Sequence, residues 1–170
     1  HKANILKCTS GLFLEIGRDI AKKYPDIEFD DKIVDACSMR MVMDPSEFDV
    51  LVTTNLFGDI LSDLASGLIG GLGLTAGANI GTSAALFEAV HGSAPDIADK
   101  GIANPTATIM AGVMMLEHLG EMAAARKVER AVRAVIQSGD RLTPDLKKGS
   151  PYGTRDIADA IVERILADTL

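Results

Sequence analysis

Asn55-Leu56-Phe57-Gly58-Asp59-Ile60-Leu61-Ser62-Asp63 sets two acids four residues apart inside an apolar repeat. Leu56, Ile60, Leu64 and Leu68 recur at helical spacing, which predicts a helix opening near Leu56. Residues four apart share one face of a helix. Asp59 and Asp63 therefore repel each other, by roughly 0.2–0.5 kcal/mol where the helix is exposed. A divalent cation between them reverses the sign of that interaction. Carboxylates with few nearby His or Cys suit Mg²⁺ or Mn²⁺ rather than zinc. The same spacing also occurs on helices whose acids are merely solvated, so spacing alone leaves both readings open. Immediately upstream, Phe48-Asp49-Val50-Leu51-Val52-Thr53-Thr54 is short, apolar and β-branched, and reads as a buried strand. A strand feeding a helix places the acids at the carboxyl edge of a sheet, where open α/β folds bind ligands.

The chain has 170 residues, enough for one domain or parts of two, and its 47% hydrophobic content is ample for a core. A net charge of −7 argues against nucleic acid and anionic membrane surfaces as partners. No apolar run reaches the roughly 18 residues that span a bilayer. Cys8 and Cys37 lack the spacing of a disulfide framework. They predict a reducing cytoplasmic setting and two buried, inert thiols.

Further along, Leu12, Phe13, Ile16, Ile20 and Ala21 predict an amphipathic helix capped by Thr9 or Ser10 and stopped by Tyr24-Pro25-Asp26. Residues 27–34 read as a strand or arm, and 35–43 as a helix closed by Pro45. Six glycines between Gly67 and Gly81 predict a long connecting loop with some strand content. Its Gly71-Leu72-Gly73-Leu74-Thr75-Ala76-Gly77 fails the dinucleotide fingerprint, because the glycines are misplaced and a helix precedes them. Ala85 to Val90 is a short strand, and His91 to Ala103 a loop punctuated by Gly and Pro. Asn104-Pro105 then opens a helix as cap and first-turn proline. A second helix runs from about Glu121 to Ser138 and ends at Gly139. A third starts after Gly153, capped by Thr154 or Asp156, and runs to about Leu166. Met110 and Met114 read as core filler, and His118 as packing or surface. Strands alternating with helices point to an α/β architecture.

Three segments together carry a family resemblance: His1-Lys2-Ala3-Asn4, then Thr53 through Asp63, then His91-Gly92-Ser93-Ala94-Pro95-Asp96-Ile97-Ala98 with Asn104-Pro105-Thr106. They resemble the catalytic-lysine, metal-binding and dinucleotide segments of the β-decarboxylating dehydrogenases, the isocitrate, 3-isopropylmalate and homoisocitrate enzymes. They follow that family's order and spacing nearly from end to end. The resemblance implies an α/β fold of two domains, of which this chain is the C-terminal half. Residues 1–70 would be part of a small dimerisation and metal domain, 71–81 a connecting loop, and 82–170 part of a large nucleotide-binding domain.

The resemblance also implies roles. Asp59 and Asp63 would hold Mg²⁺ or Mn²⁺ with Asp35, contributed by the neighbouring subunit of a homodimer. The metal chemistry is the polarising of a carbonyl and stabilising of the charge left by CO₂ loss. Lys2 would be the general acid/base, also lent by the partner; a nearby cation favours its neutral amine. Asn4 would lie beside the nicotinamide, and Glu88 near its ribose. His91, Gly92, Ser93, Ala94 and Pro95 would line the adenosine, with Asn104 at the adenine edge. Asp96 and Ile97 stand where NAD-using members carry an acid and no polar partner, so the expected cofactor is NAD. Three residues depart from the family's usual pattern: Arg40, Ala76 for a frequent proline, and Asp99 for a frequent glycine. The expected reaction is NAD-dependent oxidative decarboxylation of isocitrate. Homoisocitrate or 3-isopropylmalate as substrate, or a non-catalytic regulatory subunit, are the alternatives. The expected arginine clamp and catalytic tyrosine have no counterpart in these residues, which predicts that the 170-residue chain alone is inactive.

Overall fold

The computed structural model describes residues 1–167, and the apolar periodicities become six α-helices among them. They are α1 (Thr9–Ala21), α2 (Val34–Met43), α3 (Asn55–Leu68), α4 (Thr106–His118), α5 (Met122–Ser138) and α6 (Thr154–Ala167). One antiparallel hairpin joins them, β1 (Ala76–Ile80) and β2 (Ala85–Ala89), in the register Ala78 opposite Phe87. The chain divides into two compact units, His1–Leu68 and Ile69–Leu170. The last three residues of the stretch read as 82–170 lie outside the described residues.

In the first unit α2 packs on α3. Cys37, Met41 and Leu61 are buried there, with Val34, Phe48 and Ala65 against them. Burial pushes the Cys37 thiol upward from its ordinary value, so it stays protonated and inert. Cys8 departs from expectation and is exposed. The second unit is layered. α4 lies on both strands and against α5, and α5 packs on α6. Ala131, Val132, Val135, Leu142, Ile157, Ala160 and Ile161 form its core. Each large aliphatic side chain in it contributes about 1.5–3 kcal/mol. His118 packs its ring on Phe87, with centroids 5.5 Å apart. Gly139, at φ 68°, ends α5 by donating its N–H to Val135.

The strands differ from expectation. Residues 48–54 form no strand, and Val50 and Val52 are 79% and 78% exposed. A β-branched run becomes a strand only when a neighbour takes its backbone N–H and C=O groups. No described segment does so here, and among the described residues no sheet edge lies beneath α3. Residues 27–33 are also irregular; the His1 terminal amine donates to Lys32 O at 3.0 Å, and Val34 N–H to His1 O at 2.8 Å. The stretch read as a connecting loop, 71–81, holds a 3-10 turn at Leu72–Leu74 and then β1, which pairs with β2. Neither Thr9 nor Ser10 caps α1, which begins after Cys8 without a side-chain cap.

Candidate functional site

Lys2 lies in a turn fixed from several directions. Its N–H donates to Ser10 Oγ at 3.1 Å, and its carbonyl accepts the N–H groups of Ile5 and Leu6 at 3.1 and 2.8 Å. Ser10 is buried at the start of α1, which makes it a rigid anchor. Lys2 Nζ donates to Asp35 Oδ1 at 2.6 Å. Asp35 stands in the first turn of α2, where the helix dipole favours an anion. The Lys2 ammonium bonded to it, aided by the N–H groups of Asp35 and Ala36, holds its carboxyl below the usual range. The sign follows. This pairing contributes stability above the ordinary carboxylate value and loses it as pH falls through the lowered one. Asn4 is an exposed turn residue on an open cleft of about 620 Å³, which Arg18, Asp31 and Arg40 also line. Arg40 is engaged by Glu47, its Nε 2.8 Å from Oε2, which raises its guanidinium further above its ordinary value.

Asp59 and Asp63 are both exposed on α3, and Asp59 Oδ2 accepts from Asn55 Nδ2 at 3.4 Å. Among the described residues no group of three or more His, Cys, Asp or Glu is placed to hold a metal ion. A single chain therefore does not bring Asp35 to Asp59 and Asp63. What α3 presents is a pair of hard oxygen donors with the rest of the shell open. That fits a cation such as Mg²⁺, which keeps several ligands from water or substrate.

The second unit holds the remaining candidates. Glu88 is on the outward face of β2, and its Oε1 accepts from Asn79 Nδ2 at 3.1 Å. Beyond β2, residues 91–96 are all exposed, and Ile97 is half-buried. His91 Nδ1 donates to the Gly92 carbonyl at 3.0 Å, which leaves Nε2 as the ring's acceptor. A side chain at Gly92 would meet nothing, so its face is open. Ala94 takes φ 45°, a left-handed conformation, and leads into the 3-10 turn Pro95–Ile97 that contains Asp96. Asp99 is also left-handed, at φ 61°, which an aspartate tolerates better than most residues. An exposed loop of small side chains with one open glycine face lets a nucleotide approach the backbone.

Asn104 is buried and engaged at both ends. Its Oδ1 accepts from Thr106 N at 3.0 Å, an Asx-type bond ahead of α4, whose cap position is Pro105 and not Asn104 as expected, and its Nδ2 donates to Asp145 Oδ2 at 3.0 Å. Gly73 faces the same pair, and a Cβ there would come within 3.1 Å of both Asn104 and Asp145. Asp145 went unread in the sequence, because a partner 41 residues away leaves no periodic signal. Asp31 was missed likewise, Ser10 was read only as a helix cap, and His1 only as part of the segment carrying Lys2. Only the adjacency of His1 to Lys2 was a signal there.

Comparison with known proteins places this geometry. Residues 1–161 match the family described as isocitrate/isopropylmalate dehydrogenase. The isocitrate/homoisocitrate dehydrogenase of Thermus thermophilus is 56% identical over 97% of this chain and 48% of its own length. The 3-isopropylmalate dehydrogenase of Archaeoglobus fulgidus is 54% identical over 95% of this chain and 48% of its own. The crystal structure of isocitrate dehydrogenase from Methylococcus capsulatus superposes with TM-score 0.92 at 82% identity, over 97% of this chain and 49% of that one. The chain spans about half the length of the relatives it matches. With the family matched over nearly every residue, this chain belongs to the isocitrate/isopropylmalate dehydrogenases, as part of their two-domain α/β fold.

Proposed function

We infer that in the intact protein this chain serves the NAD-dependent oxidative decarboxylation of isocitrate, within a homodimer whose active site both chains build. The observation that carries the reading is Lys2 Nζ held 2.6 Å from Asp35 on a braced turn, in the unit that also bears the Asp59–Asp63 pair. Lys2 is the proton carrier: its amine takes up and returns a proton as the hydroxyl is oxidised and CO₂ leaves. Asp59, Asp63 and the neighbouring chain's copy of Asp35 would hold the cation. When bound, Mg²⁺ or Mn²⁺ polarises a substrate oxygen and offsets developing negative charge. Glu88 and the 91–97 loop orient NAD, Asp96 accepting from ribose hydroxyls, while Asn104 braces the loop's end through α4 and Asp145.

A shared site has support in α3. Leu56, Asp59, Ile60 and Asp63 fall at i, i+3, i+4 and i+7, one stripe of a helix. Leu56 and Ile60 are 67% and 56% exposed on it. A second chain covering those apolar side chains meets the two carboxylates. Isocitrate is placed first because the 82% identical structure carries that name. Homoisocitrate and 3-isopropylmalate follow from the names of other relatives, and kcat/KM on the three acids ranks them.

The test is Asp59→Asn in the intact protein. Metal-dependent turnover should fall by about 10²-fold or more, with weaker Mn²⁺ binding. Unchanged turnover together with unchanged Mn²⁺ affinity refutes the assignment.

A further inference from the structure

The residue before Lys2 is tied down at four points. Its main chain is bonded to Lys32 O and Val34 N–H, and its side chain is only 8% exposed. The imidazole Nδ1 accepts from Ala3 N–H at 3.1 Å, and Nε2 lies 3.2 Å from Asp31 Oδ1. A backbone N–H can only donate, so Nδ1 is the acceptor and the hydrogen resides on Nε2, which donates to Asp31. Asp31 is fixed in turn by Arg18 of α1, whose Nε and Nη2 reach Oδ2 at 3.2 and 2.9 Å. The ring thus spans Lys2, bonded to the residue after it and anchored 30 positions along the chain.

The chemistry favours histidine here. An acceptor close to the backbone, bonded to the N–H two residues on, closes the local turn as an Asx side chain does. A donor at the far tip reaches the distant carboxylate. One rigid ring supplies both. A lysine side chain is long and flexible, so the position of its Cα and the direction of its Cβ decide where its amine can reach.

We propose that His1 is a positioning residue for Lys2: the neutral ring, accepting from Ala3 and donating to Asp31, sets the turn that aims the amine. This rests on the reading of Lys2 as the proton carrier. The experiment compares three substitutions in the intact protein, reading kcat and KM for isocitrate at saturating NAD and Mn²⁺. His1→Asn keeps an acceptor for Ala3 N–H, His1→Gln keeps a donor for Asp31, and His1→Leu keeps neither. His1→Leu should lose about 10- to 100-fold in kcat, the scale of a misplaced catalytic group, with KM within about threefold. His1→Asn should recover most of that loss and His1→Gln little of it. Wild-type kcat in His1→Leu, or a loss in His1→Asn equal to that of His1→Leu, overturns the proposal. Should His1→Leu fail to fold, the other two decide: an active Asn variant beside an impaired Gln variant supports the role, and equal activities overturn it. Lys2→Met separates the two levels. If it retains turnover, the reading of Lys2 itself falls and this proposal with it. If Lys2→Met is inactive while every His1 variant is active, the positioning role alone falls.

Discussion

With the 91–97 loop proposed as the NAD site, the side chain of Asp96 would bear on cofactor choice. NAD and NADP differ at the adenosine ribose by a hydroxyl against a dianionic phosphate, and an acid accepts from the first and repels the second. Asp96 is exposed in its 3-10 turn, and its neighbour Ile97 is half-buried and apolar, with no group to pair a phosphate. Asp99, held left-handed three residues on, adds negative charge to the same loop. A charge clash of a few kcal/mol is worth two or more orders of magnitude, at about 1.4 kcal/mol per tenfold. The intact protein should therefore prefer NAD strongly in kcat/KM, and Asp96→Lys with Ile97→Tyr should weaken or reverse the preference. Equal values for the two cofactors in the unmodified protein contradict this account.

Among elements, the tie between the loop before α4 and the start of α6 is the most sensitive. Thr154 N–H donates to Gly101 O at 2.7 Å, and Thr154 Oγ1 to Ala103 O. Asp156 meanwhile accepts from Gly153 N–H at 2.8 Å and caps the helix, so Thr154 is left to the tie. A Cβ on Gly153 would lie 2.3 Å from the Gly101 carbonyl oxygen, a backbone atom that cannot swing aside. Gly153→Ala should therefore cost about 1–3 kcal/mol, read as a lower Tm, and raise KM for NAD because the displaced loop leads into Asn104. A Tm and KM at wild-type values would show that the loop yields freely. The helices at this scale were legible in the sequence, because 3.6-residue periodicity and Pro or Gly punctuation are local properties. The 48–54 run misled for the opposite reason. Its β-branched residues fit a strand, but pairing needs a neighbour that local sequence does not specify. Ser10 misled similarly: a hydroxyl at a helix start reads as a cap, while here it anchors Lys2 from eight residues away. Lys2, Asp59, Asp63 and the 91–97 loop stood out as motifs, whereas the groups that brace them act over 30 or 41 residues and left no pattern.

For the whole molecule, the first unit keeps a small core and turns apolar side chains outward on α3. In the homodimer proposed above, a second copy over Leu56 and Ile60 would cover them and bring its own groups to the carboxylate stripe. On that proposal the intact protein sediments as a dimer, Ile60→Glu should convert it to monomer, and metal-dependent turnover should be lost together with the dimer. A dimer of unaltered stability would remove α3 from the interface. No helix among the described residues is long and apolar enough to cross a membrane. The Gly101–Thr154 tie has a further effect, on timing. It joins residues about 50 apart, and the entropy of closing so long a span is met only when its far end has been made. During synthesis residues 91–101 emerge before Thr154, so the tie is made only once the start of α6 is available. Ribosome-bound chains ending before Thr154 therefore carry the 91–101 segment without that fastening.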